Sequence, residues 1–251
     1  IKYKAGEGFE KSVDFEYRKD LQMAYLKFDN PENSPVEIKV GISAVDQDGA
    51  FKNYMAEAAG KSFDQMRFEA EKLWRDQLLK IKVTAKEQGD LVNFYSSLYH
   101  TMIAPNLYQD VDGRYRGMDL EIHQDTTFNY YTVFSLWDTF RAAHPLYTII
   151  EPERSVDFVK TLLAKYDEGG IIPIWDLASN YTGCMIGYHG VSVIADAYLK
   201  GLDGFDAQKA LEAMKHSAEQ NHLGLEAYKK LSFIPLDRKS TRLNSSHSSV
   251  S

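Results

Sequence analysis

Apolar residues alternate with polar ones near the start of the chain and recur with a helical period over most of the rest. Residues 36–42 carry Val or Ile at every second position, and residues 23–28 alternate in a similar way, so both segments are predicted to be strands. The Pro- and Asn-containing stretch between them predicts a turn. Strands with one apolar face need a second sheet to cover it, so residues 1–45 are predicted to come from a β-sandwich.

Beyond these strands, apolar residues recur every three or four positions, which predicts helices joined by loops. Ser62 and Gln65 have the spacing of a capping box. Residues 108–131 lack the helical period and contain an Asp- and Gly-rich turn, which predicts a loop with a hairpin. The predicted helices are residues 48–59, a helix after Ser62, three helices capped by Asp90, Ser155 and Asp206, residues 191–199, and a last helix within 222–230. This order favours a helical toroid, although a plain helical bundle has the same periodicity.

Composition excludes several classes of protein. The chain has 251 residues and a formal net charge of −7, without a basic stripe, so a nucleic-acid partner is not expected. No apolar run reaches the length of about 18 residues that a transmembrane span needs. Cys184 is the only cysteine, which excludes an intramolecular disulfide, and we expect its thiol to be buried. P-loop, dinucleotide-binding and nucleophile-elbow motifs are absent, so phosphoryl transfer, dinucleotide chemistry and serine-esterase chemistry have no support.

Residues 237–251 differ in composition from the rest of the chain. Six of the fifteen are Ser, and only Leu243 and Val250 are apolar, which predicts disorder. The first eleven resemble the translation of a sequencing-library adapter, so this tail is predicted to be non-native. A natural Ser-rich linker is the alternative.

Trp137, Asp138 and Arg141 lie within about one helical turn of each other. An indole ring can stack under the C–H groups of a sugar, while a carboxylate and a guanidinium can hydrogen-bond its hydroxyls. The three residues are therefore candidates for sugar binding. A buried structural ion pair beneath an aromatic ring uses the same residue types, and type and spacing alone leave both interpretations open.

A second Trp–Asp pair, Trp175 and Asp176, precedes a Gly-rich stretch that carries Met185 and His189 just before a predicted helix. Gly allows the backbone to approach a ligand closely, and His189 can donate a hydrogen bond to a sugar hydroxyl or act as an acid or base. A histidine that only caps the helix is the alternative.

The segment between residues 110 and 125 is rich in side chains that can bind a cation. Carboxylates at alternate positions can hold Ca²⁺, but the spacing does not match an EF-hand loop. A turn followed by a solvated hairpin face is therefore the interpretation we favour. The side chains concerned are Asp110, Asp112, Asp119, Glu121, His123 and Asp125.

The segment from Phe134 to Leu146 (FSLWDTFRAAHPL), together with the block CMIG at 184–187 and His189, resembles stretches of the family 92 glycoside hydrolases. These are calcium-dependent exo-acting α-mannosidases, and the similarity continues in family order over residues 1–236. It implies a mixed α and β fold in two domains, truncated within the second. The implied divisions are the C-terminal end of an N-terminal β-sandwich at 1–45, linker helices at 46–85, the first part of an (α/α)6 barrel at 86–236, and the predicted tail at 237–251.

The resemblance also implies a function, the removal of terminal α-linked mannose with inversion by an acid and a base on opposite faces of the sugar ring. It places Trp137, Asp138, Arg141, Met185 and His189 at the mannose pocket, with Arg141 orienting Asp138. The Gly-Asn-Glu-Pro and Gly-Asn-Asp-Asp blocks that carry the acid and base in the family do not occur here. We therefore expect both catalytic carboxylates to lie downstream of this chain, and the chain alone to be inactive.

Further expectations follow from the same resemblance. The implied cofactor is Ca²⁺, with no complete site in this sequence, and the implied partners are mannose-terminated glycans such as N-glycans. The implied location is the periplasm or the outside of the cell. Two alternatives stay open: another (α/α)-barrel enzyme such as a glycoside phosphorylase, and a non-catalytic carbohydrate-binding or structural helical module.

Overall fold

The computed structural model describes residues 34–221 and 224–235, which form helices and short two-stranded sheets. This confirms the mixed α and β class. None of the described helices is both long enough and apolar enough to cross a membrane. The helices are α1 (Gln47–Glu57), α2 (Phe63–Leu78), α3 (Gln88–Thr101), α4 (Leu136–Thr139), α5 (Ala143–Ile150), α6 (Pro152–Gly169), α7 (His189–Leu199), α8 (Ala207–Ala218) and α9 (Leu225–Leu231). The strands are β1 (Asn106–Leu107), β2 (Arg114–Arg116), β3 (Ile122–Gln124), β4 (Tyr131–Thr132), β5 (Asp176–Leu177) and β6 (Asn180–Tyr181).

The strands of the described residues pair antiparallel in three places. β2 and β3 form the hairpin predicted within residues 108–131, with Tyr115 opposite His123. β1 pairs with β4 and so closes the long loop that contains this hairpin. β5 and β6 are joined by the two-residue turn Ala178–Ser179.

The core lies around α6, which packs against α5, α7 and α8. Phe158, Val159 and Leu162 of α6 are almost completely buried and belong to one apolar cluster with residues of the neighbouring helices. Burial of a side chain of this size contributes about 1.5–3 kcal/mol. Phe134 and Leu136 belong to the same cluster, so the segment that carries Trp137 is anchored on this core.

Several helix boundaries agree with the predictions. Ser62 and Gln65 form the predicted capping box, each side chain bonded to the backbone N–H of the other. The Asp206 carboxylate accepts a hydrogen bond from the Lys209 N–H at 2.9 Å and begins α8 as predicted. The helices α1, α7 and α9 start and end within a few residues of their predicted bounds.

Two predicted caps are wrong. Asp90 lies in the first turn of α3, which begins two residues earlier. Ser155 does not begin α6, because the helix starts at Pro152, whose fixed φ suits the first helical position and whose nitrogen has no hydrogen to satisfy. Ser155 is instead buried, 5% exposed, and its hydroxyl has no hydrogen-bond partner among the described residues.

The predicted strand at residues 36–42 is also wrong, because the structure places no strand there. A strand needs a backbone partner, and no described segment forms a ladder with these residues. Val40 and Ile42, on the face predicted to be covered, are 77% and 79% exposed. The other predicted strand, at 23–28, lies outside the described residues. The divisions at 1–45, 46–85, 86–236 and 237–251 stay predictions.

Candidate functional site

The two loops that each carry a Trp–Asp pair meet at a backbone bridge. Ser135, directly before α4, forms an antiparallel bridge with Trp175, directly before β5. The Trp175 carbonyl also accepts hydrogen bonds from the N–H of Thr182 at 3.2 Å and from its hydroxyl at 2.9 Å. The structure therefore joins two segments that the sequence presents as separate clusters.

Aromatic rings from α4, from Phe140 directly after it and from α7 form one cluster at this junction. His189 stacks on Phe140, with ring centroids 4.0 Å apart and 13° between the ring planes. The centroid of His189 also lies 5.3 Å from that of Trp137. Trp137 is half-buried, which leaves part of the indole surface for a ligand to contact.

Asp138 and Arg141 are both exposed and have different partners. The Asp138 carboxylate accepts a hydrogen bond from the Ser135 hydroxyl. The Arg141 guanidinium carbon lies 4.8 Å from the ring centroid of Phe140 and 5.7 Å from that of Trp137. The expected contact between Arg141 and Asp138 is therefore not found, because the aromatic rings attract the guanidinium instead. Asp138 and Arg141 do not form a buried ion pair beneath Trp137 either, since both side chains are exposed.

The surroundings of His189 favour its neutral form. Burial lowers its pKa, and the positive charge of Arg141 lowers that pKa further. Its Nε2 is buried and has no hydrogen-bond partner among the described residues. A neutral imidazole has one donor and one acceptor nitrogen. The helix-capping alternative is wrong, since α7 has no side-chain cap at its start.

The loop before α7 turns sharply through Gly183, Met185 and Gly187, whose φ angles are +65°, +68° and +95°. A left-handed conformation is uncommon for a residue with a long side chain such as Met185, and strained residues concentrate at ligand sites. Cys184 stands between two of these turns and is exposed, with its sulfur 3.1 Å from the Thr182 hydroxyl oxygen. The expectation of a buried thiol is therefore wrong, because the turns keep this loop at the surface.

Asp176 is not accessible to a ligand, although Trp175 precedes it as Trp137 precedes Asp138. Its carboxylate and the Lys165 ammonium are both 0% exposed and lie 2.9 Å apart. The second Trp–Asp pair thus carries an internal carboxylate, whereas the first carries an exposed one.

Sequence reasoning missed Lys165. A signal was available, because Lys165 follows Phe158 by seven residues and Leu162 by three, which puts it on the buried stripe of α6. A lysine on such a stripe needs a buried partner, and Asp176 is that partner.

The acidic segment at 110–125 has structural partners. Asp110 is buried and accepts hydrogen bonds from the Ser43 hydroxyl at 2.7 Å and the Asn53 amide at 2.8 Å. Asp112 pairs with Lys52 and Arg114, at 2.7 and 2.9 Å. No group of three or more His, Cys, Asp or Glu side chains in the described part of the chain is placed to hold a metal ion. Two further bonds are local to the hairpin region: Asp119 with His123 and Asp125 with Thr127.

Comparisons with known proteins agree on one family. The family model described as "Glycosyl hydrolase family 92 catalytic domain" matches residues 49–251. The chain is similar to the solved family GH92 α-mannosidase BT3965 from Bacteroides thetaiotaomicron, with 42% identity and a TM-score of 0.75 over 78% of this chain and 27% of that one. That protein has also been solved in complex with mannoimidazole.

Two further relatives are more distant. The inverting family GH92 mannosidase BT2199 from Bacteroides thetaiotaomicron VPI-5482 is 32% identical, with a TM-score of 0.72 over 77% of this chain and 28% of that one. A curated relative, an uncharacterized secreted glycosidase from Arthroderma benhamiae, is 27% identical over 84% of this chain and 25% of its own length.

These matches define the class of protein as a glycoside hydrolase. The chain belongs to glycosyl hydrolase family 92. It spans about a quarter of the length of the relatives it matches. The matched range includes residues 237–251, so the family match does not separate the tail predicted from composition from the rest of the chain.

Proposed function

We propose that this chain is a section of an exo-acting α-mannosidase that removes terminal α-linked mannose from glycans, including N-glycans, with inversion. The observation that carries the proposal is the exposed Asp138, which directly follows Trp137 in the chain. The Trp137 ring belongs to one cluster with the rings of Phe140 and His189. It occurs in a chain that is 42% identical to a family GH92 α-mannosidase solved with mannoimidazole.

The cluster has the chemistry that a terminal hexose requires. Trp137 offers an apolar ring face to the C–H groups of the sugar. A carboxylate has about four acceptor positions, so Asp138 can accept bonds from two sugar hydroxyls while it keeps the one from Ser135. His189 donates or accepts one further bond, and Arg141 and Met185 line the rim of the pocket.

The proton-transferring carboxylates of this proposal lie outside the 251 residues. An inverting glycosidase needs two carboxyl groups about 6.5–9.5 Å apart on opposite faces of the sugar. Asp176, on the loop that faces Asp138, is fully buried against Lys165 and cannot act as the second group. The family blocks that hold the acid and the base are absent from the sequence. The chain alone is therefore expected to be inactive.

The remaining parts of the proposal concern the whole enzyme. Calcium would be bound there as the resemblance implies, and the described residues hold no group of three or more His, Cys, Asp or Glu side chains that could bind it alone. The packing of α5 to α8 and the TM-scores of 0.75 and 0.72 support an (α/α)6 barrel. The β-sandwich before it is part of the proposal through the family resemblance. The secreted relative supports a location in the periplasm or outside the cell.

The test is hydrolysis of p-nitrophenyl α-mannoside by the full-length enzyme that contains this segment. We expect β-mannose as the first product in ¹H NMR and no p-nitrophenol from the isolated chain. Asp138→Asn should lower kcat/KM by about a hundredfold, because a charged hydrogen-bond acceptor at the sugar is lost. The control Asp203→Asn, in an exposed loop, should stay within about twofold of wild type. α-Mannose as the first product, or turnover by the isolated chain, would contradict the proposal.

A further inference from the structure

We infer that the buried Lys165–Asp176 pair is a positioning device, which fixes the two Trp–Asp loops in the arrangement that forms the site. Lys165 and Asp176 would act through Trp137 and Trp175 and not touch the sugar themselves. The inference deepens the proposed function and rests on it for the meaning of the site, but its structural part can be tested without any sugar.

The pair has a full set of partners inside the protein. The Asp176 carboxylate forms an ion pair with the Lys165 ammonium at 2.9 Å. It accepts hydrogen bonds from the Thr132 hydroxyl at 2.9 Å and from the Phe134 N–H at 3.2 Å. The Lys165 ammonium also donates to the Tyr130 hydroxyl at 3.3 Å and lies 4.5 Å from the centroid of that ring. Both charged groups are 0% exposed.

These bonds join the elements that carry the site. Asp176 directly follows Trp175, and Phe134 lies three residues before Trp137. The Thr132 hydroxyl, which donates to Asp176, accepts a hydrogen bond from the Ala178 N–H at 2.8 Å. One carboxylate thus connects α6 with the segment before α4 and with the β5–β6 hairpin.

The backbone next to the carboxylate is strained. Val133 has φ = +65°, a conformation that is rare for a β-branched residue. The residues on either side of it, Thr132 and Phe134, each donate to one oxygen of Asp176. Strained residues persist only where the surroundings over-determine them, and they concentrate at functional sites. Asp176 therefore holds the turn from which the Trp137 loop departs.

A gain in the stability of the fold is a poor explanation for the presence of this buried ion pair. Removing two charges from water costs about as much as their attraction returns, so a buried pair can often be replaced by apolar residues without loss of stability. What apolar residues cannot replace is the set of directed bonds to Thr132, Phe134 and Tyr130. The specific contribution of the pair is therefore geometry.

The experiment uses ¹⁹F NMR of the chain labelled with 5-fluorotryptophan. The chain has three Trp residues, so Trp137 and Trp175 report on the site. Trp74, whose ring is 4.6 Å from that of Tyr99 between α2 and α3, serves as an internal control. The test variant is Lys165→Met/Asp176→Leu. Its matched control is Lys209→Met/Asp167→Leu, which removes a more exposed ion pair. This pair also includes a residue of α6, Asp167.

The test variant should unfold within a few degrees of wild type but shift or broaden the signals of Trp137 and Trp175, with Trp74 unchanged. The control should leave all three signals in place. A third variant, Thr132→Val, removes one hydroxyl without removing a charge. We expect it to shift the same two signals by a smaller amount. It keeps the inference testable if the double variant does not fold. The inference would be overturned if the Trp137 and Trp175 signals kept their wild-type positions in Lys165→Met/Asp176→Leu or in Thr132→Val. If the signals move but the full-length enzyme does not release mannose, the proposed function fails and the positioning role stands.

Discussion

Gly187 and His189 pack so closely that a Cβ atom at Gly187 would lie 2.1 Å from Nε2 of His189. The same imidazole stacks on Phe140 at 4.0 Å. The ring is therefore held by a backbone segment and an aromatic ring before any ligand binds. A hydrogen-bonding group that is already oriented loses less entropy on binding.

Gly187→Ala should lower the free energy of unfolding more than Gly201→Ala does. Both glycines have positive φ, +95° and +80°, so alanine costs about 1–2 kcal/mol of backbone strain at either position. A Cβ at Gly201 has no atom within 4 Å, whereas the one at Gly187 would collide with His189, which adds about 1–3 kcal/mol. Urea unfolding of the two variants measures the difference. Equal losses would show that His189 does not pack against Gly187.

Arg141→Gln should raise the pKa of His189. Burial is the larger cause of the lowered pKa and the charge of Arg141 is the smaller one, so removal of the charge should restore only part of the shift. The NMR titration midpoint of His189 should therefore move up but stay below that of a free histidine. Arg67→Gln, on the exposed face of α2, is the control and should leave the midpoint unchanged. An unchanged midpoint in Arg141→Gln would contradict the placement of the guanidinium.

His144→Leu should remove part of the acid sensitivity of the fold. Burial lowers the pKa of His144 from 6.5 to about 4. As the pH falls below 6.5 the unfolded chain binds a proton that the folded chain does not bind until about pH 4. The free energy of unfolding therefore falls by about 3 kcal/mol as the pH falls from 6.5 to about 4.

Urea unfolding at several pH values between about 7.5 and 4.5 measures the slope of the free energy of unfolding against pH. His216→Gln, on an exposed position of α8, should keep the wild-type slope. A wild-type slope in His144→Leu would show that another group causes the acid sensitivity.

Sequence patterns predicted the helices better than the strands, and physical reasons explain the difference. The capping box at Ser62 is a local bond, so four residues suffice to predict it. The hairpin β5–β6 turns at Ala178 and Ser179, with φ of +45° and +68°, and lacks the Asn-Gly or Asp-Gly signal that such turns usually carry. Its turn is stabilised from outside, by the bond from the Ala178 N–H to the Thr132 hydroxyl.

The candidate site was predictable in its residue types but not in its contacts. Trp137, Asp138 and His189 could be named from spacing and family resemblance. The placement of Arg141 over aromatic rings depends on Phe140, which no charge pattern singles out. The burial of Asp176 depends on Lys165, eleven residues away, and a single sequence does not show which buried charges meet.

The most direct test of the proposed mannose-binding loop at Trp137 and Asp138 is a crystal structure of the full-length enzyme with mannoimidazole or methyl α-mannoside bound. We expect a carboxylate oxygen of Asp138 within about 3 Å of a sugar hydroxyl, with the Trp137 ring against the sugar face. A sugar bound in the active site without contact to either residue would contradict the claim that this loop binds the terminal mannose.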